Sequence, residues 1–282
     1  MEDFNVWLND FIKRAFEEDI KDGDHTSLAC ISNDEKGKAI LKIKENGILA
    51  GIDIATKVFK FADETLKIKT NTVDGMPVTK GDEVLEVEGK IHSILMSERI
   101  VLNIMQRMSG IATNTRKYVD AIKGTKARIL DTRKTTPTIR FLEKLAVKIG
   151  GGYNHRMGLY DMIMIKDNHI DFAGSIRKAI EKTVEYLLKN NLNLKIEVEA
   201  RNLKEVEEIL SVGNVNRILL DNFSPEETKK AVKIIAGQME TESSGGITLE
   251  TIRDYAEAGV DYISVGALTH SFKSLDMSLK AV

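Results

Sequence analysis

The chain holds a single cysteine, Cys30, so no disulfide can form within it and no set of thiolate zinc ligands is available. That usage suits a reducing compartment. There are only three prolines, and no apolar run approaches the roughly 20 residues that a helix needs to cross a bilayer. The opening residues, MEDFNVWLNDFIKRAFEED, are acidic and amphipathic and lack the basic start and apolar core of a signal peptide. The expectation is a cytoplasmic protein with no membrane partner. Neither sign of charge is in surplus. Forty-one Lys+Arg stand against 43 Asp+Glu, a net charge of −2, which argues against binding nucleic acid through bulk charge. No Ser-His-Asp order, metal-ligand cluster or glycine-rich dinucleotide fingerprint is present.

What is present is ordinary globular composition over 282 residues, enough for a barrel with a smaller domain. Phe4, Trp7, Leu8, Phe11, Ile12, Ala15 and Phe16 recur at helical spacing and predict a helix over 4–19. Residues 38–50 alternate and contain Asn46-Gly47, which predicts a hairpin. Residues 66–91 read as further short strands. Residues 92–122 are long, apolar and helical, with Arg99 and Arg107 inside the apolar pattern, either snorkelling or aimed at an anion.

From residue 127 the pattern changes to alternating strand and helix. Strands are predicted at 127–132, 161–166, 194–200, 217–222, 238–244 and 261–267, with helices between them. Asn202, Ser224 before Pro225, and Thr248 mark helix starts. This short period favours a barrel over an open doubly wound sheet. Each predicted strand ends in a polar or glycine group: Asp131 with Arg133 and Lys134, Lys166, Glu197 and Glu199, Asp221, Ser244-Gly245-Gly246, and Gly266. In a barrel these ends face one mouth, where active sites sit.

The stretch 128–169 carries eight Lys/Arg against four Asp/Glu, gathered in clusters at 131–134, 154–156 and 166–169. Cations at the ends of apolar runs suit a small, multiply charged anion. Ser244-Gly245-Gly246 and Val265-Gly266-Ala267 bare their backbone N–H groups, the usual setting for a terminal phosphate. Glu199 and Asp221 could hold sugar hydroxyls directly or through a divalent metal. Together these features fit transfer of a phosphorylated sugar with pyrophosphate leaving.

DTRKTTP at 131–137, GGGYNHRMGLYDMIMIKDNHI at 150–170, IEVEA at 196–200, ILLDN at 218–222, ESSGGI at 242–247 and DYISVGALTHS at 261–271 resemble the motifs of the quinolinate phosphoribosyltransferase family. The likeness runs essentially end to end. It implies an α/β fold: an N-terminal α/β sandwich domain over 1–110, with about 270–282 packing back on it, and a C-terminal incomplete (βα) barrel over 111–269. It implies transfer of phosphoribosyl from phosphoribosyl pyrophosphate to quinolinate with loss of carbon dioxide, in NAD biosynthesis. It also implies a magnesium cofactor and a homodimer, with the hexamer left open.

By position, Arg133, Lys134, His155 and Arg156 would line the dicarboxylate pocket with Thr132 beside them, and Arg99 would reach it from the neighbouring subunit. Lys166 would face both substrates, Glu199 and Asp221 would hold ribose hydroxyls or magnesium, and residues 244–246 and 265–267 would cradle the 5-phosphate. Lys134, Lys166, Glu199 and Asp221 are the candidate catalytic residues, whereas His169 and His270 read as structural. Three rivals stay open at this point. One is a related transferase acting on another heterocycle, the second a barrel lyase forming a Schiff base on Lys166, and the third a non-catalytic sensor of phosphorylated metabolites on the same fold.

Overall fold

The structure is a computed structural model that describes residues 2–282, with side chains from Phe4 onward. In chain order, the first half contains helix α1 (Glu2–Asp19), α2 (His25–Cys30), strands β1 (Lys36–Ile43) and β2 (Gly47–Ile48), α3 (Ile52–Ala62), β3 (Lys67–Thr70), β4 (Pro77–Val78), β5 (Glu83–Lys90) and the long α4 (Ile91–Ala121). It continues through β6 (Arg128–Leu130), α5 (Arg140–Ile149), β7 (Ile163–Ile165), α6 (Asp167–Ala173), α7 (Ile176–Lys189), β8 (Ile196–Ala200), α8 (Leu203–Val212) and β9 (Arg217–Asp221). The remainder is α9 (Pro225–Ile235), β10 (Glu240–Ser244), α10 (Ile252–Glu257), β11 (Tyr262–Ser264), α11 (Ala267–His270) and β12 (Met277–Ala281).

Two compact units result. The first is Met1–Asn114, Phe141–Gly151 and Phe272–Val282; the second is Thr115–Arg140 and Gly152–Ser271. In the first unit a four-stranded antiparallel sheet runs β12-β1-β5-β3. Its strands alternate, and the inward residues Leu41, Ile43, Leu85 and Val87 are buried, as are Phe59 of α3 and Leu66. The apolar stripe of α1 is used as its spacing predicts: Trp7 stacks on Phe11 at 5.3 Å and packs on Phe141 of α5 at 5.1 Å. Arg107 of α4 forms an ion pair with the fully buried Glu143 of α5. The snorkelling alternative for Arg107 is thereby replaced by a structural pair.

Two local expectations are overturned. Asn46-Gly47 is not a hairpin turn, because β1 pairs with β5 and β12 while β2 pairs with β4. Tertiary contacts win there: Ile48 N–H donates to Thr113 Oγ1 at 2.8 Å, and a Cβ on Gly47 would run into Thr113 and Leu275. Residues 52–62, unassigned from sequence, form α3, whose Ile52, Ala55, Val58 and Phe59 make one buried stripe.

The second unit is an α/β array built on six parallel strands in the order β6-β11-β10-β9-β8-β7. Each lies inside a segment predicted as a strand. The sheet is an incomplete barrel whose edges are β6 and β7, with Tyr153 adding one parallel bridge to Leu130. All five residues of β8 are buried, as expected of a strand covered on both faces. Asn202 and Ser224 cap α8 and α9 as predicted, the latter in a capping box with Glu227. Thr248 does not start a helix; α10 begins at Ile252.

Candidate active site

The C-terminal ends of the parallel strands enclose a cavity of about 730 Å³. Its walls include Thr132, Arg133, Lys134, His155, Arg156, Lys166, Glu199, Asp221, Ser244, Gly245, Gly246, Val265, Gly266 and Ala267. Of the residues singled out from sequence, Arg99 does not line it; it is exposed on α4 of the first unit.

One wall is cationic. After β6, Thr132 Oγ1 accepts the N–H of Lys134 at 3.0 Å and the carbonyl of Arg133 accepts that of Thr135 at 2.9 Å. This tight turn projects Arg133 and Lys134 as exposed side chains. Among the described residues neither side chain has a hydrogen-bond or ion-pair partner. The next loop is held from below by the buried Asp131, whose carboxylate accepts Asn154 Nδ2 at 2.5 Å and the His155 N–H at 2.9 Å. Arg156 anchors one guanidinium nitrogen on the Met162 carbonyl at 3.2 Å. Burial, and then the like charge of Arg133, lower its pKa. Cations close enough to repel each other, with little carboxylate to neutralise them, make a site for a multiply charged anion.

The opposite wall is acidic. Glu199 of β8 lies 3.4 Å from Lys166 Nζ and accepts the Asp167 N–H at 3.4 Å. Asp221 ends β9 on the neighbouring strand and is tied to Asn222 Nδ2 at 2.8 Å. The third side is backbone. Gly245 and Gly246 have φ of 98° and 60°, left-handed values that glycine adopts without cost, and so turn the loop after β10 with no side chain in the way. Val265 is fixed at the end of β11 by its N–H to the Leu130 carbonyl at 2.9 Å.

Beneath this floor lies a buried network that sequence reading missed. His155 Nε2 lies 2.9 Å from Glu197 and 3.6 Å from Glu242, and Arg217 reaches Glu242 at 2.7 Å. Burial raises both carboxyls, Glu242 up to about 7 with the charge of Glu197 adding to the rise. The signal was available in the strand period: Glu197 and Glu199 are two apart in β8 and so share a face, one layer apart. His169 Nδ1 accepts the Lys166 N–H at 3.0 Å, which fixes the start of α6, and His270 Nδ1 lies 2.7 Å from Ser271 Oγ. His270 also borders the cavity.

A second cavity, of about 750 Å³, opens at the N-terminal ends of the strands. Its lysines are paired, Lys126 with Asp261 at 2.7 Å and Lys195 with Glu240 at 3.9 Å, and Arg128 stacks over Tyr153 at 5.1 Å. The clustering of Arg133, Lys134 and Arg156 singles out the other end, as the barrel architecture expects.

Comparison with known proteins agrees with this geometry. A family model described as "Quinolinate phosphoribosyl transferase, C-terminal domain" matches residues 111–280, and the corresponding N-terminal domain matches residues 24–109. Quinolinate phosphoribosyltransferase (decarboxylating) 1b of Nicotiana tabacum is 47% identical over 288 aligned positions, covering 97% of this chain and 82% of the relative. A probable nicotinate-nucleotide pyrophosphorylase (carboxylating) of Bacillus subtilis is 42% identical, covering 98% and 93%. The crystal structure of NadC from Streptococcus pyogenes superposes with a TM-score of 0.92 at 41% identity, covering 98% of this chain and 97% of that one.

Proposed function

The chain belongs to the quinolinate phosphoribosyl transferase family, and from that premise we propose that it transfers phosphoribosyl from phosphoribosyl pyrophosphate to quinolinate, releasing pyrophosphate and carbon dioxide. The product is nicotinate mononucleotide, for NAD synthesis. The observation that carries the reading is the convergence of Arg133, Lys134 and Arg156 on a cavity whose far walls are two carboxylates and a glycine loop.

Each wall has a task. Arg133 and Arg156, with Thr132 and Lys134 beside them, hold the two carboxylates of quinolinate. Gly245, Gly246 and the turn at 265–267 receive the 5-phosphate through backbone N–H groups. Glu199 and Asp221 face the ribose, where negative charge favours the oxocarbenium-like transition state. Lys166, paired with Glu199, stands between the two substrates. The pyridine nitrogen attacks C1 as pyrophosphate departs. The resulting pyridinium is an electron sink for loss of the adjacent carboxylate, and the ring carbon is then protonated. No protein nucleophile is needed; the chain supplies position and charge.

Glu199 and Asp221 carry hard oxygen donors on adjacent strands, a donor set that would hold magnesium together with substrate oxygens. When bound, magnesium neutralises pyrophosphate charge. We also place Arg99 of the partner subunit against a quinolinate carboxylate in a homodimer. Its exposure on α4 supports this, as do Leu159, Tyr160 and Phe172, which stand exposed on the segments following Arg156 and Lys166.

The test is release of pyrophosphate and carbon dioxide from purified protein given quinolinate, phosphoribosyl pyrophosphate and magnesium, with nicotinate in parallel. Both products with quinolinate and neither with nicotinate is the expected result. Turnover with another heterocycle alone would overturn the substrate.

A further inference from the structure

Arg140 opens α5 and does not line the cavity, yet it binds both loops that do. Its Nε donates to Thr135 Oγ1 at 2.8 Å, and its Nη1 donates to the Met157 carbonyl at 2.9 Å. Thr135 follows Lys134 directly, and its N–H is bonded to the Arg133 carbonyl at 2.9 Å. Met157 follows Arg156. One guanidinium therefore ties the loop bearing Arg133 and Lys134 to the loop bearing Arg156.

Two features bear on what this tie holds in place. The cations it brings together are of like sign: burial, and then the charge of Arg133, lower the pKa of Arg156. The return from Arg133 to Arg140 also passes through Thr138 at φ 69°, a left-handed conformation that a β-branched residue adopts only when its surroundings impose it. The second loop is firm on its own side, since the N–H groups of Met157 and Gly158 donate to Asp161 at 2.7 and 2.8 Å. Arg140 thus fixes the first loop against a rigid second one. A planar guanidinium offers two divergent donors in fixed geometry, which an ammonium does not.

We propose that Arg140 is a positioning residue that sets the gap between Arg133/Lys134 and Arg156, and that this gap selects an acceptor with two adjacent carboxylates over one with a single carboxylate. This rests on the assignment of those cations to the acceptor made above.

The test uses Arg140→Ala, Arg140→Lys, Thr135→Val and the Ala/Val double variant in the full chain. Steady-state kinetics with both substrates are paired with calorimetric binding of benzene-1,2-dicarboxylate and of benzoate. Arg140→Ala is expected to raise the KM for quinolinate about tenfold or more, as misplaced binding groups do. The KM for phosphoribosyl pyrophosphate should stay within about twofold, and kcat should fall less than the KM rises. The dicarboxylate should lose affinity in step while benzoate does not. Arg140→Lys should do no better than Ala, Thr135→Val should give a smaller shift in the same direction, and the double variant should be no worse than Arg140→Ala. An unchanged KM and dicarboxylate affinity, or a uniform loss of kcat and melting temperature with KM intact, would overturn the proposal. So would full rescue by Lys. If the native protein fails to turn over quinolinate, the functional reading falls, whereas the two binding probes still decide whether Arg140 governs dicarboxylate selection.

Discussion

His155 Nδ1 accepts the backbone N–H of Arg156 at 2.7 Å, so the imidazole proton sits on Nε2, facing Glu197 at 2.9 Å. Both ring nitrogens are thus turned toward the protein, although the ring borders the cavity. His155 links the buried carboxylates to the loop that presents Arg156. His155→Phe keeps the ring volume and removes both contacts. It should lose about 1 to 3 kcal/mol of stability, the cost of leaving the buried groups it faced without a partner. Urea unfolding would show this as a lower midpoint at unchanged slope. A midpoint equal to that of the native chain would refute the link.

The carboxyl of Glu242 binds its proton more tightly in the folded protein than in the unfolded chain, rising from 4.5 to about 7 through burial and the charge of Glu197. The folded state therefore keeps a proton that the unfolded chain releases between those values. That contribution to stability is fully present below pH 4.5 and is lost as pH rises through 7. At 1.36 kcal/mol per pH unit it amounts to about 3 kcal/mol. Glu242→Gln imitates the protonated form. It should melt close to the native protein at about pH 5 and above it at about pH 8. A pH-independent difference between the two would contradict this account.

Arg133 is exposed at the mouth with no partner among the described residues. Its removal should therefore leave folding almost untouched and weaken only substrate binding. Arg133→Ala should cost about 1.5 to 3 kcal/mol in kcat/KM for quinolinate, the loss of a charge-assisted contact. The melting temperature should not fall, since only a like charge beside Arg156 is removed. Wild-type kcat/KM in this variant would remove Arg133 from the acceptor site.

Gly245 tests the phosphate loop. An added Cβ would collide with the Asn222 side chain and lie 2.9 Å from its backbone nitrogen, at a φ of 98°. Gly245→Ala should displace the loop, raising the KM for phosphoribosyl pyrophosphate well above any effect on the KM for quinolinate. The reverse pattern would move the phosphate elsewhere.

The barrel unit was legible because each strand is an apolar run closed by a polar or glycine residue, so one pattern gave both the strands and the side of the sheet that carries chemistry. The helix caps Asn202 and Ser224 were legible for a local reason: their side chains bond backbone three residues on. Other features depended on long-range contacts. The Asn46-Gly47 signal was real but outvoted by Thr113 and strand β4, and α3 hides in a sequence rich in β-branched residues. Helix α6, over Asp167–Ala173, was masked because its first residues read as a cationic cluster. The buried pairing of Glu197, Glu242 and Arg217 joins three strands, and no single segment announces it.

Strand β12 pairs with β1 in a register that sets Ala281 opposite Ala39, about 240 residues apart in the chain. A ribosome therefore releases β1 long before its neighbour exists. Until Met277–Ala281 emerges, one flank of β1 offers unpaired backbone, the kind of edge that recruits strands from other chains. The sheet of the first unit is consequently completed only when the last strand is made, and a premature stop codon anywhere before residue 277 leaves that flank of β1 open.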